Sequence, residues 1–165
     1  MRRREMRLCN VIFPIWLLWF FPPAWVAILP ANFAIDFLAL ALTLRRLQVE
    51  NRRKLAGELV WKVWIFGFLA DLVGTAALLP SQMAAWGEEF IPVQQAIAYD
   101  PLGSGWAFLW VGAAVLLAAV CIYWFDRRLA LKNAPLTETQ KHTLSLSMAV
   151  FTAPYLFFLP MKWFW

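Results

Sequence analysis

Residues 105–125 read GWAFLWVGAAVLLAAVCIYWF, twenty-one positions without one charge. As a helix rising 1.5 Å per residue, the stretch is about 31 Å long, matching the ~30 Å hydrocarbon core of a bilayer. Residues 59–79 and 143–165 form apolar tracts of similar length, and residues 11–44 form a longer one. Across the chain 62% of residues are apolar and 15% charged. Soluble domains carry about 45–50% and about 25% respectively. A soluble globule of 165 residues cannot hide that surface, least of all with 11 Trp and 14 Phe. Disorder is excluded too, because it needs low hydrophobicity and high charge. The expectation is an all-α integral membrane protein, a single transmembrane domain over residues 1–165.

Basic residues set the expected topology, because cytoplasmic flanks of spans are rich in Lys and Arg. Arg2, Arg3, Arg4 and Arg7 form one group. Arg45, Arg46, Arg52, Arg53, Lys54 and Lys62 form a second, and Arg127, Arg128, Lys132 and Lys141 a third. Only Lys162 lies elsewhere, and residues 63–125 hold no Lys or Arg while including Glu88, Glu89 and Asp100. The three groups are therefore expected inside and residues 81–104 outside, as a loop. The chain must then cross an even number of times between Arg7 and Arg45. A helical hairpin turning at Pro22-Pro23 meets that condition, with segments 8–21 and 24–44, since proline breaks hydrogen bonding and restricts its predecessor. The rival is one kinked span with the N-terminus outside.

Three spanning helices follow, over residues 49–79, 105–125 and 137–159, giving five helical segments, N-terminus in and C-terminus out. Thr137-Glu138-Thr139-Gln140 has the form of a capping box, and Pro154 is expected to kink the last helix. The tryptophans fall near the two expected interfaces, as an aromatic belt requires. Arg2–Arg7 followed by an apolar run resembles a signal peptide, but Trp25 spoils the cleavage site. The segment is read as part of the structure, and the protein as residing in the cytoplasmic membrane of a prokaryote.

Two carboxylates lie inside apolar tracts, and intramembrane carboxylates are costly and mark functional sites. Asp36 is nine residues before Arg45 and Asp71 twelve after Leu59. At helical rise these are depths of ~14 Å and ~18 Å from the inner boundary, on adjacent antiparallel helices. Asn32, Asp36 and Thr43 share one helical face; Gly67, Asp71, Gly74 and Thr75 share another. Ala70 and Gly74 make a small-xxx-small pair suited to close helix packing. The functional reading is a cation or proton site of Asp36, Asp71, Asn32 and Thr75. The structural reading has each acid protonated or bonded to neighbouring helices. Lys62 is out of phase with Asp71 and is expected to pair with Glu58 at i−4.

Other features point to less. Arg45, Arg46, Arg52, Arg53 and Lys54 suit anionic lipid headgroups. Neither nucleic-acid binding nor a cofactor has support in the sequence. Cys9 and Cys121 form no metal-ligand spacing or disulfide framework. Residues 99–105 read as a turn whose amides suit an anion or simply start a helix. His142, Asp126 and Arg128 are the only polar set for an interfacial lipid enzyme, and no catalytic signature accompanies them. No internal repeat is evident, and five short helices enclose little, so a path for ions would form between copies in a homo-oligomer. The leading expectation is a small oligomeric channel or transporter of a cation or protons. The alternative is a non-catalytic accessory or scaffold subunit whose carboxylates serve helix packing.

Overall fold

A computed structural model of the protein describes residues 22–83 and 87–160. The expected segment 8–21, the first arginine group, Cys9, Trp86 and the C-terminal tryptophans lie outside the described residues. Five α-helices account for most of the rest: α1 (Pro22–Arg46), α2 (Arg52–Met83), α3 (Ile91–Tyr99), α4 (Gly105–Phe125) and α5 (Glu138–Phe151). No strand occurs among the described residues. α2 packs on α1 and α4, and α5 packs on α4 and α1, so these four close a ring around a shared core. α3 lies against α4 outside that ring.

The helix stripes explain the ring. In α1 the buried set is Asp36, Ala39, Leu40, Thr43 and Leu44, one face at helical spacing. α2 contributes Leu55, Ala56, Leu59, Val60, Val63 and Ala70, and α5 contributes Leu144, Met148 and Ala149. α4 buries three alanines, Ala107, Ala114 and Ala118, with Val111, Val115 and Ile122. Against them sits Gly74: a β-carbon there would lie 2.9 Å from Ala118 Cβ and 3.2 Å from the Ala114 carbonyl oxygen. The small-residue stripe read from the sequence is thus the α2–α4 contact. Aromatic rings add to the joints, Phe33 on Trp61 at 4.8 Å between α1 and α2, and Phe66 on Phe125 at 6.1 Å between α2 and α4.

The turn from α1 to α2 is a helix C-terminal cap written in hydrogen bonds. Val49 N donates to Leu44 O and Gln48 N to Arg45 O, both at 3.2 Å. That is the Schellman pattern, in which the residue after the cap adopts a left-handed conformation. Gln48 occupies that position at φ 52°, where glycine is usual. Val49 folds back onto the core that holds Leu44.

Several expected boundaries shift. Pro22 and Pro23 are helical, within α1, rather than part of a turn before it; proline is well tolerated in a first helical turn, whose N–H groups are unpaired anyway. α2 continues through Pro80 to Met83 instead of ending there. Beside Pro80, Trp110 Nε1 donates to Ala77 O at 3.3 Å, and Ser81 Oγ to Leu78 O at 2.7 Å. Residues 81–104 are not a plain loop, since they contain the end of α2, all of α3 and two 3₁₀ turns. Gln82 Nε2 donates to Gln94 O and Gln94 Nε2 to Ser81 O, pinning α3 to α2.

The capping box forms as read: Gln140 N donates to Thr137 Oγ1 at 3.2 Å, and Thr137 N donates to Gln140 Oε1 at 3.0 Å. Its helix stops at Phe151, however, and Pro154 follows the end instead of kinking an interior. At 14 residues α5 is only about 21 Å long.

Two helical stretches among the described residues are long and apolar enough to cross a membrane, Arg52–Met83 and Gly105–Ala130. Only 22% and 28% of their most apolar windows are buried. The apolar residues therefore face outward, as Ile65, Leu69, Leu72, Leu109, Leu116 and Val120 do. A core helix of a soluble protein would bury them.

The Gly74 contact yields a paired test. Gly74→Val should drive α2 from α4 and cost about 1–3 kcal/mol, the usual penalty of overpacking. Gly57→Ala, with nothing within 4 Å of its added carbon, should instead gain about 0.5–1 kcal/mol from helix propensity. Thermal unfolding in detergent reads both.

Candidate functional site

Three helices each send an aspartate into the same bundle. Asp36 of α1 is 5% exposed and Asp126, just past α4, is 0% exposed. Asp71 of α2 is partly exposed overall, with its Oδ1 buried. Asp36 lies against α2 one turn before Asp71: a β-carbon at Gly67 would be 3.8 Å from Asp36 Oδ2. Residues 67 and 71 share a helical face. Asp36 thus lies about one helical turn from Asp71 along α2, while Asp126 is buried at the end of α4.

Asp126 was legible only as a member of the interfacial set with His142 and Arg128. That set does not assemble, because His142 and Arg128 are exposed while Asp126 is sealed in the core. His142 instead stands edge-on to the Tyr123 ring, 5.7 Å away. Asp126 continues the buried stripe of α4, one turn past Ile122, with its N–H on the Ile122 carbonyl. After Phe125 the chain continues as a π-turn, Asp126–Ala130, closed by Leu131 N donating to Asp126 O at 2.8 Å. A π-turn admits an extra residue and is frequent at functional sites. No sequence signal announces one.

Polar satisfaction is the unusual property of this region. Asp71 Oδ1, both oxygens of Asp126, Ser145 Oγ and Trp64 Nε1 are buried without a hydrogen-bond partner among the described residues. Buried polar atoms in folded proteins are nearly always paired, and each exception calls for an explanation. The set holds donors as well as acceptors, the chemistry that ordered water or a mobile proton satisfies.

The other expected residues are placed as follows. Asn32 is half-buried one turn before Asp36. Thr75 is buried, and its hydroxyl donates to the Asp71 backbone carbonyl at 2.9 Å. Arg45, Arg46, Arg52, Arg53 and Lys54 are all exposed around the α1–α2 turn. Lys62 and Glu58 are exposed and form no ion pair; the pair found among the described residues is Lys141–Glu138 at 3.2 Å. The residue 99–105 turn is no anion cradle, because Asp100 Oδ2 sits 2.6 Å from where a Gly103 β-carbon would be, over the glycine. Ser104 there caps α4, accepting from Ala107 N. Cys121 is a free thiol, partly buried. Among the described residues no group of three or more His, Cys, Asp or Glu stands close enough to hold a metal ion.

No family model, curated protein or solved structure matches this chain.

An unpartnered buried polar group costs about 1–3 kcal/mol. Asp126→Leu should therefore raise stability by up to that amount, whereas removing a paired structural acid would lower it. Chemical unfolding of the purified variant beside wild type measures the sign.

Proposed function

We propose that this protein is an integral membrane protein that passes protons through its bundle, with Asp36, Asp71 and Asp126 as the proton-carrying groups. The observation that carries the reading is two buried acids, Asp36 and Asp126, and a half-buried third, Asp71, with oxygens of Asp71 and Asp126 lacking protein partners among the described residues. Stability alone gives no reason to keep such groups, and intramembrane acids commonly serve proton relays. A proton moves between groups through water and needs no shared coordination sphere, so the scattered arrangement suits it better than a metal cation. Asn32 and Ser145 are polar neighbours able to orient water along the way.

The membrane part of the reading rests on the outward-facing apolar residues of α2 and α4. In it the α1–α2 turn and residues 126–141 face the cytoplasm by the positive-inside rule, and α3 lies outside. Arg45, Arg46, Arg52, Arg53 and Lys54 then meet anionic headgroups. A homo-oligomer in a prokaryotic cytoplasmic membrane remains part of the proposal, because so small a ring encloses little space by itself.

A second reading makes the protein an accessory subunit whose acids serve packing. The complete burial of Asp126 in the apolar core favours it. Reconstitution separates the two. Vesicles holding the wild type should dissipate an imposed pH gradient faster than empty vesicles. Asp36→Asn, Asp71→Asn and Asp126→Asn should each fall to the empty-vesicle rate, while Glu89→Gln, at an exposed acid, should not. Wild-type vesicles as tight as empty ones would favour the accessory reading.

A further inference from the structure

A groove of about 580 Å³ opens where α4 ends and α5 begins, lined by Trp124, Arg127, Arg128, Lys132, Glu138 and Lys141. Four cationic side chains and one carboxylate share that concavity. Two of the cations are held in place. Arg127 Nη1 donates to Tyr123 Oη at 2.5 Å, and Lys141 Nζ donates to Glu138 Oε1 at 3.2 Å and to the Lys132 carbonyl at 3.3 Å. Arg128 and Lys132 are exposed, and no protein partner for their charged groups is found among the described residues.

The wall carrying them is fixed as well. The π-turn sets the register of Arg127 and Arg128, and the capping box fixes the start of α5, which carries Glu138 and Lys141. Backbone bonds from Ala134 N to Leu131 O and Leu136 N to Ala134 O hold the connecting loop. Like charges gathered in a concavity repel unless an anion joins them.

We propose that this groove binds a phosphate-bearing anion. Guanidinium groups form paired hydrogen bonds with phosphate oxygens, and lysines add point charge. The volume falls in the ordinary range of ligand sites, about 300–1,000 Å³, larger than bare phosphate requires. Room thus remains for the group that the phosphate is attached to, beside the half-exposed Trp124 ring. The site is separate from the three buried acids and does not depend on their transferring protons.

The phosphate can belong to a lipid headgroup or to a soluble molecule, and one experiment resolves the source. Purified protein in a neutral detergent is titrated with pyrophosphate by calorimetry. In parallel it is reconstituted with phosphatidylglycerol or phosphatidylcholine, and retained lipid is counted by native mass spectrometry. Saturable pyrophosphate binding identifies a soluble ligand. Selective retention of phosphatidylglycerol without pyrophosphate binding identifies a headgroup. In whichever arm binds, Arg128→Gln should weaken binding roughly fivefold, as loss of one lipid-contacting charge does. Glu138→Gln should tighten it by removing the opposing charge, and Lys62→Gln, outside the groove, should leave it unchanged. Binding in neither arm, or equal weakening by Lys62→Gln and Arg128→Gln, would overturn the proposal.

Discussion

A carboxylate taken from water into an apolar interior loses solvation that only hydrogen bonds, a counter-charge or a proton can replace. This bundle takes in three, and among its described residues no Lys or Arg is buried beside them. Much else follows from that constraint. Asp36 sits where α2 offers Gly67, the side chain that leaves the most room. Asp126 enters the core on the same helical stripe as Ala118 and Ile122, just before the chain turns into its basic segment. The four-helix ring must then close around polar atoms that its own side chains do not satisfy. Local choices made for stability alone would have put leucine at these positions.

The molecule divides its surfaces accordingly. The outer faces of α2 and α4 are apolar, suited to hydrocarbon and offering nothing to water. Charge collects at helix ends, around the α1–α2 turn and in the groove after α4. Polarity enters the middle of the fold at Asp36, Asp126 and a few hydroxyl side chains such as Thr43, Thr75 and Ser145. A structure that is apolar outside and locally polar inside inverts the soluble pattern.

Much of this was legible in the residues. The uncharged run of residues 105–125 gave α4 with its observed ends, and Thr137 with Gln140 gave the start of α5, because hydropathy and capping are local properties. Asp36 and Asp71 were found because a charge in an apolar run stands out. Asp126 was obscured because it borders Arg127 and Arg128, where an acid looks like ordinary surface; its burial comes from the packing of the α4 stripe that it ends, and that is a tertiary outcome. The helix through Pro80 was hidden for a related reason. Its neighbourhood is set by a tertiary contact, Trp110 of α4 donating to the Ala77 carbonyl. The end of α5 was overrun because residues 152–159 remain apolar past the point where hydrogen bonding stops.

The central claim is that the three acids behave as one coupled set, and infrared titration of the reconstituted protein tests it most directly. The protonated carboxyl bands are followed against pH in the wild type and in Asp36→Asn, with Asp71→Asn and Asp126→Asn used to assign them. If the acids are coupled through Asp36, its removal moves the titration of both remaining groups. Unchanged titration of Asp71 and Asp126 in Asp36→Asn would show three independent buried acids and contradict the account.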